Sequence, residues 1–189
     1  SLFLLGAYKL GGVTLTAIIS IICIGGFYSI LWLCLRELKT GLITSALIFT
    51  FVALVGTLFF TMRPQILVYP LFGLTILIIN RWQKGENHHL WALPLIALLW
   101  TNFHGSFIVL FFILFPALIF GSGNRNRLTL FTFISLLSTL VNYYGFEVWT
   151  NVFSMVNNQS IRLYMTEWKP PVNQGWQFNL FFLGFLLIP

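Results

Sequence analysis

The chain has 189 residues, 58% of them hydrophobic and 7% charged, with a formal charge of +6. An ordinary soluble domain carries about 25% charged residues, so this chain cannot cover a water-facing surface and the missing surface is lipid. In a soluble protein such a charge points to nucleic acid; here the ten Lys and Arg stand singly between apolar runs, as orienting charges do in membrane proteins, and nucleic acid is excluded as a partner.

In chain order, the first apolar run spans Leu10 to Leu35 and stops at Arg36, Glu37 and Lys39. It holds Cys23 and Cys34, which share one side of a helix about three turns apart. They are too distant to bridge and read as small apolar side chains. The second run, Gly41 to Thr61, ends at Arg63-Pro64-Gln65; the third, Ile66 to Asn80, gives way to RWQKGENHH (Arg81 to His89). Then come Leu90 to Phe103, Ser106 to Phe120 and, after GSGNRNR (Gly121 to Arg127), Leu128 to Val141, with a last run from near Phe178. A span needs about 20 residues, or about 17 at the short end. The first two runs meet that. The third, fourth and fifth are short and recruit flanking aromatics or a thinner bilayer, and the pair flanking His104 also reads as a re-entrant hairpin buried in protein.

The whole chain, 1–189, is therefore expected to be one all-α transmembrane domain, a polytopic bundle of about seven spans, with no internal repeat and no soluble domain. It begins at Ser1 and stops at Pro189 inside apolar sequence, without a cleavable signal. Both ends are expected to be cuts in a longer protein.

Charge placement gives an orientation. The basic loops at Arg36/Lys39, Arg81/Lys84 and Arg125/Arg127 are every second loop, which assigns them to the cytoplasm. Arg63-Pro64-Gln65, the segment Asn102 to Ser106 and the polar stretch 142–177 then lie on the exoplasmic face. Within that stretch, Phe146, Trp149, Val152, Phe153, Val156, Ile161, Leu163 and Tyr164 recur at helical spacing, with Asn and Gln between them. Such a pattern suits a helix lying in the membrane interface, closed by Pro170-Pro171. Asn158-Gln159-Ser160 matches a glycosylation sequon but is not expected to be used.

Four groups could carry chemistry. Arg63, beside a span, reads either as an interfacial anchor or as a phosphate ligand through its planar fork of donors. His104, between Asn102 and Gly105-Ser106, reads as a structural or a catalytic histidine. No metal site is expected: zinc takes about four ligands, and His88 and His89 fall on the opposite face as part of a polar interfacial loop. Glu167 and Lys169 flank Trp168 as a salt bridge beside an aromatic anchor, or as a carboxylate and ring that receive a sugar. No nucleophile elbow, phosphate-cradling glycine loop or metalloprotease helix is present.

Arg63-Pro64-Gln65, LPLIALLWTNFHGSF (Leu93 to Phe107), VNYYGFEVW (Val141 to Trp149) and TEWKPP (Thr166 to Pro171), with the opening YKLGG (Tyr8 to Gly12), together resemble a bacterial polytopic family. Its members are GT-C-fold glycosyltransferase-like proteins related to dolichyl-phosphate-mannose protein mannosyltransferases. The resemblance covers almost the whole chain. It implies the bacterial cytoplasmic membrane, motif loops facing the periplasm, and sugar transfer from a polyprenyl-phosphate donor. It also implies that the catalytic acidic loop, and any residues holding a divalent cation, precede Ser1; the residues present call for no cofactor. Under it, Arg63 with Gln65 meets the donor phosphate, while Asn102, His104, Asn142, Glu167, Trp168 and Lys169 meet sugar or acceptor. The alternative is a non-catalytic accessory subunit of a larger membrane complex, to which the many Phe and Trp offer contact surface. A transporter fits less well, because the spans hold almost no ionisable residues.

Overall fold

The computed structural model of the chain describes residues 2–56, 63–157 and 179. Every regular element among them is helical. In chain order, α1 is Leu2–Glu37, α2 Leu42–Gly56, α3 Tyr69–Gln83, α4 Ala92–Phe103, α5 Ile108–Phe120, α6 Arg125–Ser138 and α7 Glu147–Asn157, with 3-10 turns at Pro64–Val68 and Gly105–Phe107. The all-α class holds. The seven described helices are not the seven expected spans: α7 falls within the segment expected as an interfacial helix, whose remainder lies outside the described residues with the run from near Phe178. Two pieces, Leu2–Glu37 and Pro64–Gln83, are long and apolar enough to cross a membrane. Leu42–Gly56, Ala92–Phe103 and Gly105–Phe120 are apolar but shorter.

α1 is two helices joined at a glycine pair. Gly12 sits at φ 60, ψ −152, and Gly11 at φ −143, ψ 18; the first of these is a backbone conformation open to glycine alone without strain. From Val13 onward the helix alone exceeds the ~30 Å of a hydrocarbon core. Its hydroxyls turn back on its own backbone, Ser20 Oγ donating to Thr16 O at 2.8 Å and Ser29 Oγ to Gly25 O at 2.8 Å. That satisfies them wherever water is missing.

The chain divides into two compact units, Ser1–Lys39 with Met62–Val148 and Thr40–Thr61 with Trp149–Pro189. In the second, α2 carries one buried polar side chain, Ser45, tied to Thr40 by a 2.8 Å hydroxyl pair. Trp149 stacks on Phe153 within α7, ring centroids 6.3 Å apart.

In the first unit, α3 packs between α1 and α5, and α4 lies along α6. Small residues allow close approach: a Cβ on Gly73 of α3 would stand 3.2 Å from the Ile30 side chain of α1. The core runs through Leu93, Trp100, Phe107, Leu110, Leu114 and Leu128, all at most 2% exposed. Its largest anchor is Trp82, fully buried near the end of α3. The turn between α5 and α6 folds around this indole. A Cβ on Gly121 or Gly123 would run into the Trp82 ring, so glycine is required there for space. Trp82 Nε1–H donates to Asn124 O at 3.0 Å, and Ser122 Oγ donates to Gln83 O at 3.2 Å. Asn124 Oδ1 then accepts from Arg127 N at 3.1 Å and caps α6. Arg125 reaches back to the carbonyls of Ile119 and Gly121 at 3.2 and 3.4 Å, covering the last turn of α5, where a cation is favoured.

Candidate functional site

Among the described residues, the segment Asn102 to Ser106 and the turn at Asn142 meet at the end of α4, and the turn after Arg63 packs against α4. α4 stops at Phe103 because His104 is extended, at φ −157, ψ 143. His104 Nδ1 then caps the next turn, accepting from Ser106 N–H at 3.1 Å. The indole N–H of buried Trp100 donates to Ser106 Oγ at 3.1 Å, and Ser106 Oγ lies 2.9 Å from His104 Nδ1. Ser106 Oγ is thus an acceptor for Trp100, and its own hydrogen points to Nδ1.

This chain of bonds decides what His104 can do. With Nδ1 accepting, the proton of the neutral ring sits on Nε2. Burial also pushes the His104 pKa below the ordinary histidine value and keeps the ring neutral. His104 therefore presents a hydrogen-bond donor at Nε2, suited to an oxygen-rich or anionic group; it is not set up as a base.

The other predicted residues fall nearby or are spent. Asn102 Nδ2 donates to Leu98 O at 2.8 Å and to Val141 O at 3.0 Å, which ties the end of α4 to the segment after α6. Asn142 is absorbed by its own turn: Nδ2 donates to Thr139 O at 2.6 Å, and Oδ1 accepts from Tyr144 N at 2.7 Å. Arg63, exposed and extended at φ −118, ψ 158, precedes the Pro64–Val68 turn, and Gln65 is half-buried in it. Ile66, Leu67 and Val68 anchor that turn in the core, and it packs against α4. Glu167, Trp168 and Lys169 lie outside the described residues. Sequence reasoning passed over Trp100 and Ser106; the sign was a serine two residues past a histidine that ends a helix, the spacing of a local side-chain cap.

The opposite end collects the basic loops. Glu37, closing α1, receives Arg81 Nε at 2.7 Å, Asn80 Nδ2 at 3.2 Å and Lys84 Nζ at 3.4 Å. Arg81 Nη1 also donates to His89 Nε2 at 3.0 Å. Through Trp82 and Gln83 the same end holds the turn that carries Arg125 and Arg127. His88 and His89, expected as a plain polar loop, stand with their rings 3.9 Å apart.

No family model, curated protein or solved structure matches the chain. Its chemistry rests on its own side chains: a donor-bearing end around His104 and Arg63, and a charge-paired end around Glu37.

Proposed function

We propose that the chain is a membrane-embedded domain that binds the phosphate-sugar head of a polyprenyl-phosphate donor at its Arg63–His104 end, as part of a GT-C-like glycosyltransferase. The observation that carries this reading is the division of the first unit into two unlike ends, with Arg63, Gln65, Asn102 and His104 at one and Arg81, Lys84, Arg125 and Arg127 at the other. Orienting cations belong on the cytoplasmic side, so the donor-bearing end faces the periplasm across a bacterial cytoplasmic membrane. Large apolar side chains point outward along the helices, among them Ile21, Ile22, Phe112, Ile119 and Phe133. Lipid covers such surface at no cost in hydration.

In this reading the donor phosphate is the leaving group. A guanidinium at Arg63 offsets the charge that develops on it, and His104 Nε2–H donates to a donor oxygen from a fixed position. The test is donor turnover by the full-length protein. Arg63→Ala is expected to lower it by about 10²-fold, and His104→Gln, which keeps a donor near the Nε2 position, to retain more activity than His104→Asn. Arg63→Ala turning over the lipid-linked sugar like wild type would sink the assignment.

A second reading, an accessory subunit of a larger membrane complex, is favoured by one observation: the amide donors of Asn102 and Asn142 are spent on backbone carbonyls. Co-purification with partner chains at fixed stoichiometry supports it, and a monodisperse lone protein argues against it.

A further inference from the structure

The loop joining α3 to α4 carries a group of side chains unrelated to the donor end. One ligating atom each from Glu86, His88 and His89 all lie within 4.8 Å of one another. We propose that Glu86, His88 and His89 form a binding site for a divalent transition metal of the zinc class, which closes on the loop by displacing Arg81 from His89.

The donor set fits that class. Two imidazoles and one carboxylate suit zinc and its neighbours better than magnesium or calcium, which favour oxygen alone. Ligand atoms on one tetrahedral zinc stand about 3.3 Å apart, given bonds of about 2.0–2.1 Å. The observed group needs only a modest side-chain rotation to reach that, and Glu86 and His88 are exposed and able to make it. A water completes the coordination.

The backbone that presents the group is anchored at both ends. Trp82 and Leu90, on either side of the loop, are fully buried. Between them, Gly85 N donates to Trp82 O at 2.9 Å and Glu86 N to Arg81 O at 3.0 Å. Gly85 takes φ 94 to make the turn, and Asn87 Nδ2 closes onto Gly85 O at 3.0 Å.

Arg81 is the competitor. Its guanidinium can only donate, so in the metal-free loop His89 Nε2 is an acceptor, 3.0 Å from Arg81 Nη1. Ligation through Nε2 removes that bond directly. Ligation through Nδ1 moves the ring proton to Nε2, where it meets the guanidinium N–H. Either way Arg81 must yield, and it can, because its Nε remains held by Glu37 at 2.7 Å. Ligation through Nε2 leaves the Nδ1–H bond intact; ligation through Nδ1 breaks that bond and forms Nε2–H by proton exchange with water, with no net change in the ring's charge.

The experiment is calorimetric titration of the purified chain in detergent with Zn2+ alone, beside five variants. One Zn2+ per chain is expected. Glu86→Gln, His88→Gln and His89→Gln should each weaken binding by at least about tenfold, as loss even of a supporting group does. His104→Gln should bind like wild type, and Arg81→Gln should bind more tightly. Binding undetectable at ~1 mM Zn2+, or unchanged by Glu86→Gln or His88→Gln, would overturn the site. Because Arg81→Gln also unties Glu37, the displacement is read independently in the wild-type chain: the His89 ring 15N signals should shift on Zn2+ addition, and their failure to move overturns the proposed exchange.

Discussion

The two ends of the first unit satisfy their polar groups in opposite ways. Around Glu37 the bonds are ionic and long in sequence: one carboxylate closing α1 gathers Asn80, Arg81 and Lys84 from the far end of α3. Around His104 they are neutral and, apart from the bond from Asn102 Nδ2 to Val141 O, local, running from Trp100 to Ser106 and back to His104, with Asn142 folded into its own turn. Long-range charge pairs fix where one helix sits against another. Local neutral caps fix only the shape of a turn, and here they hold His104 in the tautomer that carries its proton on Nε2. One end is built for placement and the other for presentation.

The sharpest way to break this contrast is at Trp82. Trp82→Ala should cost about 3–5 kcal/mol of stability, as loss of a buried aromatic does, and Gly123→Ala about 1–3 kcal/mol by overpacking against the same ring. Denaturant unfolding in detergent measures both; a loss below ~1 kcal/mol for Trp82→Ala would mean that the charged end is not the anchored one.

Glu37→Gln comes next. It removes the charge but keeps the shape, and because Glu37, Arg81 and Lys84 are 23%, 27% and 39% exposed at their side chains, solvent screening holds the cost to about 1–2 kcal/mol. Ser106→Ala, which cuts a local cap, should cost only about 1 kcal/mol. The contrast fails if Ser106→Ala proves the more damaging of the two.

The smallest effect is on pH. Burial lowers the His104 pKa, and partial burial with the neighbouring His88 and Arg81 charges lowers that of His89. On acidification the unfolded chain takes up these protons first. Their contribution to stability is therefore full above the ordinary histidine pKa of about 6.5 and lost as pH falls through the lower folded values. His104→Gln should flatten the acid side of a stability–pH profile, and an unchanged profile would contradict it.

Much of the helical order was legible in the sequence, because apolar runs stop where charges or Gly and Asn begin. The breaks at Arg36 to Lys39, Arg81 to His89 and Gly121 to Arg127 each coincide with a helix end. Exact ends were less legible. α6 starts at Arg125, ahead of the apolar run at Leu128, because the Asn124 cap fixes it there, and α1 starts at Leu2 and breaks at Gly11–Gly12, just inside the apolar run that begins at Leu10. At the donor-bearing end the residue types were readable but their partners were not: that Asn102 reaches Val141 depends on α4 lying along α6, which no local pattern encodes. The same holds for Glu37, whose partners lie 43 to 47 residues on, and for the space around Trp82 that only glycine leaves.

That Trp82 pocket also bears on the order in which the protein is made. The indole leaves the ribosome well before Gly121 to Asn124, the residues that enclose it. Until the α5–α6 turn arrives, the ring lacks the backbone of Gly121 and Gly123 that packs on it, and its N–H lacks Asn124 O. Closing the turn therefore follows synthesis of α3 to α5, and a chain cut before Gly121 lacks the residues that pack on the ring and accept its N–H, leaving more aromatic surface exposed to association.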